Sequence, residues 1–372
     1  MRALLFLFLF GIVSSSHAQP AAPTIAAKSH LLLDFHSQHV LSSQNAMERV
    51  EPASLTKLMT AYLTFSALKQ KQIQTTQAVT VSQRAWKAEG SRMFIEPRKP
   101  VTVDELMRGM IVQSGNDACI ALAELIAGSE EAFAQMMNRE AQRLGMKGTH
   151  FVNSTGLPDP QHYATAYDLA LLAIAIIRDF PEYHPLYSMK EYRYNNITQA
   201  NRNRLLWSDP TVDGMKTGFT ENAGYCLITS ARRGERRLIS VVVGTASEPA
   251  RATESQKLLN FGFQFYDSVK LYEKNQTVMT LQIWKGSSNE IKAGFLEDLF
   301  VSVPKGQADK LKANVESRQP LLAPVSAGQK IGVLKITLDG KPYLEVPVVA
   351  LEGVSLAGIL GRGWDTIRLL FK

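Results

Sequence analysis

The stretch EPASLTKLMTAYLTF, residues 51–65, carries a proline-led turn straight into an apolar helical pattern with Ser54 and Lys57 on its first turn. Leu58, Tyr62 and Phe65 recur at spacings of three and four, so one face of a helix is expected to be buried. Ser54 and Lys57, three apart, stand over the start of that same stripe. A buried amine must be paired, neutralised or put to work. Alone, the pattern S-x-x-K leaves two readings open. In one, Ser54 caps the helix and Lys57 snorkels to solvent; in the other, Ser54 is a nucleophile whose proton passes to a neutral, desolvated Lys57. The rest of the chain decides.

The chain has 372 residues and a formal net charge of +7. It begins with Arg2, an apolar run from Ala3 to Val13, and small residues at Ser16 and Ala18. These are the parts of a secretory signal, expected to be removed after Ala18, with 19–28 as a linker. No later apolar run is long enough for a membrane-spanning helix. A secreted basic chain meets anionic lipid or cell-wall polymer rather than nucleic acid, and no zinc-finger, Walker or Rossmann pattern is present. The two cysteines, Cys119 and Cys226, are compatible with one disulfide or with two buried thiols.

From Ser29 the sequence alternates strand and helix signals. Two short strands, LLLDF and part of SQHVLSSQNA, precede the Ser54 helix. Residues 104–128 carry two helical stretches interrupted at Ser114-Gly115-Asn116, and EEAFAQMMNREAQRLG reads as an amphipathic helix ended by Gly145. Thr165, followed by Asp168, opens a nearly all-apolar helix with a capping-box-like start. GYCLITSARRGERRLISVVVG then reads as a β-hairpin. Helices clustered around terminal strands predict an α/β domain over 29–268 with an antiparallel sheet rather than a doubly wound parallel one. Residues 269–352 show short strand-like runs with a turn at Asp339-Gly340, and predict a small all-β domain. In the tail, 353–372, Leu356, Ile359, Leu360, Trp364, Ile367, Leu370 and Phe371 fall at helical spacing beside Arg362, Arg368 and Lys372. That profile predicts an amphipathic helix lying on an anionic membrane surface.

Two further motifs bear on Ser54. Ser114-Gly115-Asn116 follows it by 60 residues, and Lys216-Thr217-Gly218 follows Ser114 by 102. In the order S-x-x-K, S-x-N, K-T-G the set is specific to serine enzymes that react with penicillin. The chemistry explains the residue types. Ser54 needs a base within hydrogen-bond reach, and Lys57 serves if its pocket and a second cation, Lys216, keep it neutral. Ser114 can relay protons to the leaving amine and Asn116 can hold a substrate amide. Lys216 and the Thr217 hydroxyl suit a substrate carboxylate, while Gly218 lets the substrate approach the strand. The backbone N–H groups of Ser54 and Phe219 are the natural oxyanion donors. His36, His39, His150, His162 and His184 fall at no ligand spacing, so neither metal nor cofactor is expected.

The chain resembles the D-alanyl-D-alanine carboxypeptidases, the low-molecular-mass penicillin-binding proteins of the type-five group of Gram-negative bacteria. The likeness rests on ASLTKLMTAYL, LMRGMIVQSGNDACIALAE, NNITQANRNRLLW and VDGMKTGFTENAGY, followed by a β-rich domain and an amphipathic tail. It implies a serine penicillin-recognising domain and removal of the terminal D-alanine from peptidoglycan stem peptides through an acyl-enzyme on Ser54, with β-lactams as inhibitors. It also implies a periplasmic location, with the tail on the outer face of the inner membrane. Arg202 and Arg251 match family positions near the cleft, either suited to the terminal carboxylate of the donor peptide. One departure stands out: some relatives carry histidine where this chain has Phe219, which implies slower or differently pH-dependent release of the acyl group. A D,D-endopeptidase or transpeptidase of the same fold, a weak β-lactamase and a non-catalytic wall-binding scaffold are the competing readings.

Overall fold

In the computed structural model, which describes residues 21–317 and 319–369, a five-stranded antiparallel sheet divides the first domain. Its order is Val40–Gln44, Ser29–Asp34, Arg236–Thr245, Gly224–Arg233 and Val212–Thr220. The inner strands are near-continuous apolar runs because both faces are covered. Alternation sorts their side chains: Leu31, Leu33, Ile228, Val241 and Val243 join the larger helical core, while Leu32, Leu227, Leu238 and Val242 pack with Leu258 and Leu259 of the Glu248–Phe265 helix. The expected signal segment, 1–18, lies outside the described residues.

The helix Lys57–Lys69 departs from the expectation of one buried face. Eleven of its residues are buried, Lys57 and Thr60 among them, because it runs through the middle of a helical cluster and packs against Val103–Val112, Asn116–Ala127, Glu130–Arg143 and Ala166–Asp179. Local signals set the neighbours' ends. Thr102 and Glu105 form a capping box at Val103–Val112, Gly128 at φ 80° ends Asn116–Ala127, and Ser129 caps Glu130–Arg143. Thr165 caps its helix through the N–H of Asp168. The Asp168 carboxylate does not complete a capping box; it accepts from Gly148 N and Thr149 Oγ1 at 2.8 and 2.7 Å.

The Glu248–Phe265 helix passes directly into the strand Tyr266–Tyr272, which pairs with Leu299–Pro304. A six-stranded sheet follows, in the order Leu311–Ser317, Lys330–Leu338, Lys341–Ala350, Glu290–Gly294, Thr277–Trp284, Leu321–Leu322. The Asp339-Gly340 turn joins two of these strands with positive φ at both residues (52° and 75°), as a two-residue hairpin requires. Ile291, Val301, Leu334, Ile336 and Val348 form a core separate from that of the first domain. The two domains touch where Ser37 Oγ meets Ser302 Oγ at 2.7 Å and the His36 ring stacks on Phe300.

The tail helix occupies Ile359–Leu369, not the whole of 353–372. Residues before it are held extended: Val354 exchanges backbone hydrogen bonds with Val325, and Leu356 bridges Gly286. Those backbone groups are therefore already used by the β domain. Leu370, Phe371 and Lys372 lie outside the described residues. Cys119 and Cys226 are both buried free thiols. Among the described residues, no helix is long and apolar enough to cross a membrane.

Candidate active site

Ser54 sits in a single 3-10 turn, Ala53–Thr56, that leads into the Lys57–Lys69 helix. The entry is forced: Ala53 has φ 47°, in the left-handed region that disfavours a side chain. Gly156 at φ 84° presses against it, and a Cβ there would lie 1.8 Å from the Ala53 carbonyl oxygen. The turn leaves Ser54 half-buried on a cleft and Lys57 only 1% exposed beneath it. Lys57 Nζ is 2.9 Å from Ser54 Oγ and donates to the Thr155 carbonyl at 2.5 Å. Burial pushes the Lys57 amine down to about 8, with the guanidinium of Arg202 pushing the same way and nearby acidic groups opposing. A neutral amine that spends one N–H on a carbonyl keeps its lone pair for the serine proton.

Ser114 lies between two helices at φ 63° and is buried. Its hydroxyl makes no hydrogen bond among the described residues, nor does the Oδ1 of Asn116. Asn116 is fixed from behind: its N–H donates to Ser91 O at 2.7 Å and its Nδ2 to Glu89 O at 2.6 Å. The segment therefore points one hydroxyl and one amide oxygen at the cleft without partners of their own.

Val212–Thr220 is the edge strand of the five-stranded sheet, paired on one side only, with Gly224–Arg233. Lys216 and Thr217 are buried on it, and Lys216 Nζ donates to Thr217 O at 3.0 Å. The Lys216 amine is itself pushed well down, by burial first and then by Lys57 and Arg202. The guanidinium of Arg202, which stays charged, lowers the pKa of both amines, so a cation that the sequence reading had not placed beside Lys57 joins Lys216 there. Gly218 has a further reason beside the expected one. A Cβ there would meet Pro52 O at 3.2 Å and Ala53 Cβ at 3.3 Å, so the glycine lets the strand approach the Ser54 turn. Beyond it Phe219 is 45% exposed against Tyr225, ring centres 4.4 Å apart. Glu51 ties turn to strand, accepting from Thr220 Oγ1 and Asn222 Nδ2 at 3.0 Å each.

These elements enclose a cleft of about 450 Å³ lined by Ser54, Ser114, Asn116, Thr217, Gly218 and Phe219, with Arg202 and Arg251 also on its walls. Lys57 and Lys216 lie behind the lining. Arg202 is exposed and donates to Ser91 Oγ at 2.9 Å. Arg251 is 3% exposed and held by the carbonyls of Gly218 and Arg202 at 3.4 and 3.3 Å. All ten residues singled out from the sequence thus gather around one cleft. Among the described residues no group of His, Cys, Asp or Glu is placed to hold a metal.

Sequence reasoning missed the supporting loop 153–156. Asn153 Oδ1 accepts from Thr155 N, Thr155 Oγ1 and Gly156 N, and Glu130 accepts from Ser154 N and Oγ. The result fixes the Thr155 carbonyl under Lys57. It also missed His162, whose Nδ1 accepts from Val152 N and whose Nε2 therefore donates to Thr56 Oγ1 at 2.8 Å. Burial lowers that imidazole to about 4, so it braces the turn as a neutral ring.

The sequence profile of the D-alanyl-D-alanine carboxypeptidase family matches residues 16–247, and that of the penicillin-binding protein 5 C-terminal domain matches 266–355. The chain is 43% identical to D-alanyl-D-alanine carboxypeptidase DacC of Escherichia coli, covering 98% of this chain and 94% of that protein. Penicillin-binding protein 5 from Haemophilus influenzae superposes with a TM-score of 0.85 at 40% identity, covering 90% of this chain and 99% of that one. Penicillin-binding protein D2 from Listeria monocytogenes, solved in its ampicillin-bound form, gives a TM-score of 0.60 at 30% identity over 64% of this chain and 98% of that one. The chain belongs to the D-alanyl-D-alanine carboxypeptidase family of serine hydrolases.

Proposed function

We propose that this protein removes the terminal D-alanine from peptidoglycan stem peptides. The observation that carries the reading is the buried Lys57 amine, 2.9 Å from Ser54 Oγ, behind a cleft walled by an edge strand. Ser54 Oγ attacks the carbonyl carbon between the two D-alanines while its proton passes to Lys57 Nζ. The oxyanion is met by backbone N–H groups of Ser54 and Phe219 in a fixed geometry. As the C–N bond breaks, the leaving amine takes a proton through Ser114 Oγ, and D-alanine departs. Water, its proton passing to Lys57 Nζ, then attacks the ester, and the ester oxygen leaves as the Ser54 hydroxyl by taking that proton back. Asn116 and the edge strand hold the peptide as an added strand, and its terminal carboxylate lies toward Thr217, Arg251 and Arg202. An anion so placed also favours the cationic form of Lys216. β-Lactams acylate Ser54 by the same attack.

The test is to incubate the mature protein with a fluorescent penicillin and, separately, with a peptide ending in D-Ala-D-Ala, using Ser54→Ala as control. Wild type takes the label and releases D-alanine, and the variant does neither. Labelling without release overturns the hydrolytic reading in favour of an acceptor-dependent transferase; rapid turnover of the drug points to a β-lactamase.

The mature chain divides into a catalytic domain over 29–268, a β-rich domain over 269–352 and a tail over 353–372 that rests on the outer face of the inner membrane. Support for that placement comes from the tail helix. Asp365 accepts from Lys285 N at 2.6 Å, which docks one side, while Ile359, Trp364 and Ile367 are 80%, 64% and 51% exposed on the other. An apolar face of this kind with Trp364 and arginines beside it suits an anionic headgroup layer. Removing residues 359–372 is expected to release the protein from anionic vesicles; undiminished binding would overturn the anchor.

A further inference from the structure

A second, larger cleft of about 710 Å³ adjoins the catalytic one and shares Arg92 and Phe94 with it as a common wall. Trp86, closing the short Gln83–Trp86 helix, and Ile197, opening the strand Ile197–Ala200, line it further out. Trp86, Phe94 and Ile197 are 40%, 37% and 40% exposed. Large apolar groups gathered in a concavity, rather than scattered, mark a binding surface.

The shared wall is held in place at a conformational cost. Phe94 has φ 70°, a conformation that bulky side chains rarely adopt. The carboxylate of Asp117 keeps it there, accepting from the N–H groups of Met93, Phe94 and Ile95 at 2.9, 2.8 and 3.2 Å. Asp117 directly follows Asn116, so the segment that aims Ser114 and Asn116 at the catalytic cleft also props Phe94 between the two clefts. The charge is one-sided as well. Glu96 is bound by Lys99 and Asn195 at 2.8 Å each, whereas Arg92 and Arg98 have no acidic partner among the described residues. The Arg92 guanidinium rests 5.2 Å from the Phe94 ring centre.

An apolar surface with two unpaired guanidiniums suits an amphipathic anion. We propose that this cleft is a subsite for the part of the stem peptide upstream of D-Ala-D-Ala. Arg92 and Arg98 meet its free carboxylates there, and Trp86, Phe94 and Ile197 meet its aliphatic chain. The assignment rests on the carboxypeptidase reading, because a peptide that acylates Ser54 and continues past Phe94 enters this space.

The experiment measures kcat/KM for D-alanine release from three peptides: a blocked D-Ala-D-Ala dipeptide, a pentapeptide with free upstream carboxylates, and the same pentapeptide with those carboxylates amidated. In wild type the anionic pentapeptide is preferred over both others. Trp86→Ala combined with Arg98→Ala is expected to cut the ratio of anionic pentapeptide to dipeptide by about tenfold. Arg98→Ala alone erodes the preference over the amidated peptide, and Arg98→Lys restores most of it. Fluorescent-penicillin labelling reports that each variant is folded at the catalytic cleft. Unchanged ratios in the double variant overturn the subsite. If wild type takes the label but releases no D-alanine from any peptide, the carboxypeptidase reading is what fails. The subsite then stands or falls on whether the Trp86/Arg98 change weakens binding of the anionic pentapeptide to Ser54→Ala protein.

Discussion

The cleft and the β domain treat charge and backbone in opposite ways. Around Ser54, two lysines are buried, a serine hydroxyl and an amide oxygen lack partners among the described residues, and Ala53, Phe94 and Ser114 occupy left-handed backbone. In the β domain, charges such as Lys335 and Glu316 pair at 2.7 Å with both side chains about half exposed, and two of its three non-glycine residues with positive φ among those described, Asn275 and Asp339, are types that tolerate it, Lys285 being the third. A domain built only to fold follows the second pattern. Gathering dried amines, unpartnered groups and left-handed backbone around one cleft is what a reacting centre requires, since an amine must be dried to act as a base at neutral pH and unpartnered groups must wait for substrate.

The largest effect that would break this contrast is expected at Lys57. Lys57→Ala removes the base and should lower the rate of acylation by fluorescent penicillin by roughly a thousandfold, within the range general-base removal gives. A variant that acylates at near wild-type rate would make the buried amine a packing accident. Next comes Asp117→Asn. One carboxylate oxygen that accepts N–H bonds becomes an amide that repels them, which should cost about 2 kcal/mol of stability in urea titration and slow acylation as Phe94 and Asn116 shift together.

Legibility follows the same line. Ser54, Lys57, Ser114 and the Lys216–Gly218 strand were readable because each motif is local and its meaning lies in spacing and order. The strand at Leu31, Leu32 and Leu33 was readable as a short apolar run, but not that its side chains alternate between two cores. Thr155 and Asp117 were not. Thr155 acts through its carbonyl on a lysine 98 positions away, and Asp117 acts on backbone N–H groups more than twenty positions upstream, neither of which leaves a periodic trace. Asn153-Ser154-Thr155-Gly156 did carry one usable signal, an asparagine two and three residues before groups it can bind in a turn. The fit of Gly218 against Pro52 and Ala53, and the action of Arg202 on both lysines, were not legible because each depends on what lies across the cleft.

A smaller effect sharpens the comparison by pH. The folded Lys57 amine, at about 8 against an ordinary 10.5, is neutral above pH 8 and protonated below it. Acylation should therefore rise with pH through a midpoint near 8 and fall about tenfold for each unit below. Stability should move the same way. Between about 8 and 10.5 the unfolded chain holds a proton that the folded chain does not, so the denaturation midpoint should climb with pH across that window. Acylation that is flat from pH 6 to 9 would mean that the lysine is not the group being titrated.

The smallest expected effect lies in the β domain and tests the contrast from its other side. Lys335 and Glu316 are neighbours across paired strands, half in water, and their attraction is screened there and set against the entropy of holding two long side chains still. Replacing both by alanine should leave the urea midpoint and the acylation rate where they were. The two strands keep their backbone ladder, and Leu334 and Ile336 keep their places in the core beneath. A clear loss of acylation in this variant would show that the β domain's surface charges reach the cleft through the contact at Ser37, Ser302 and Phe300, and that the two regions are not independent after all.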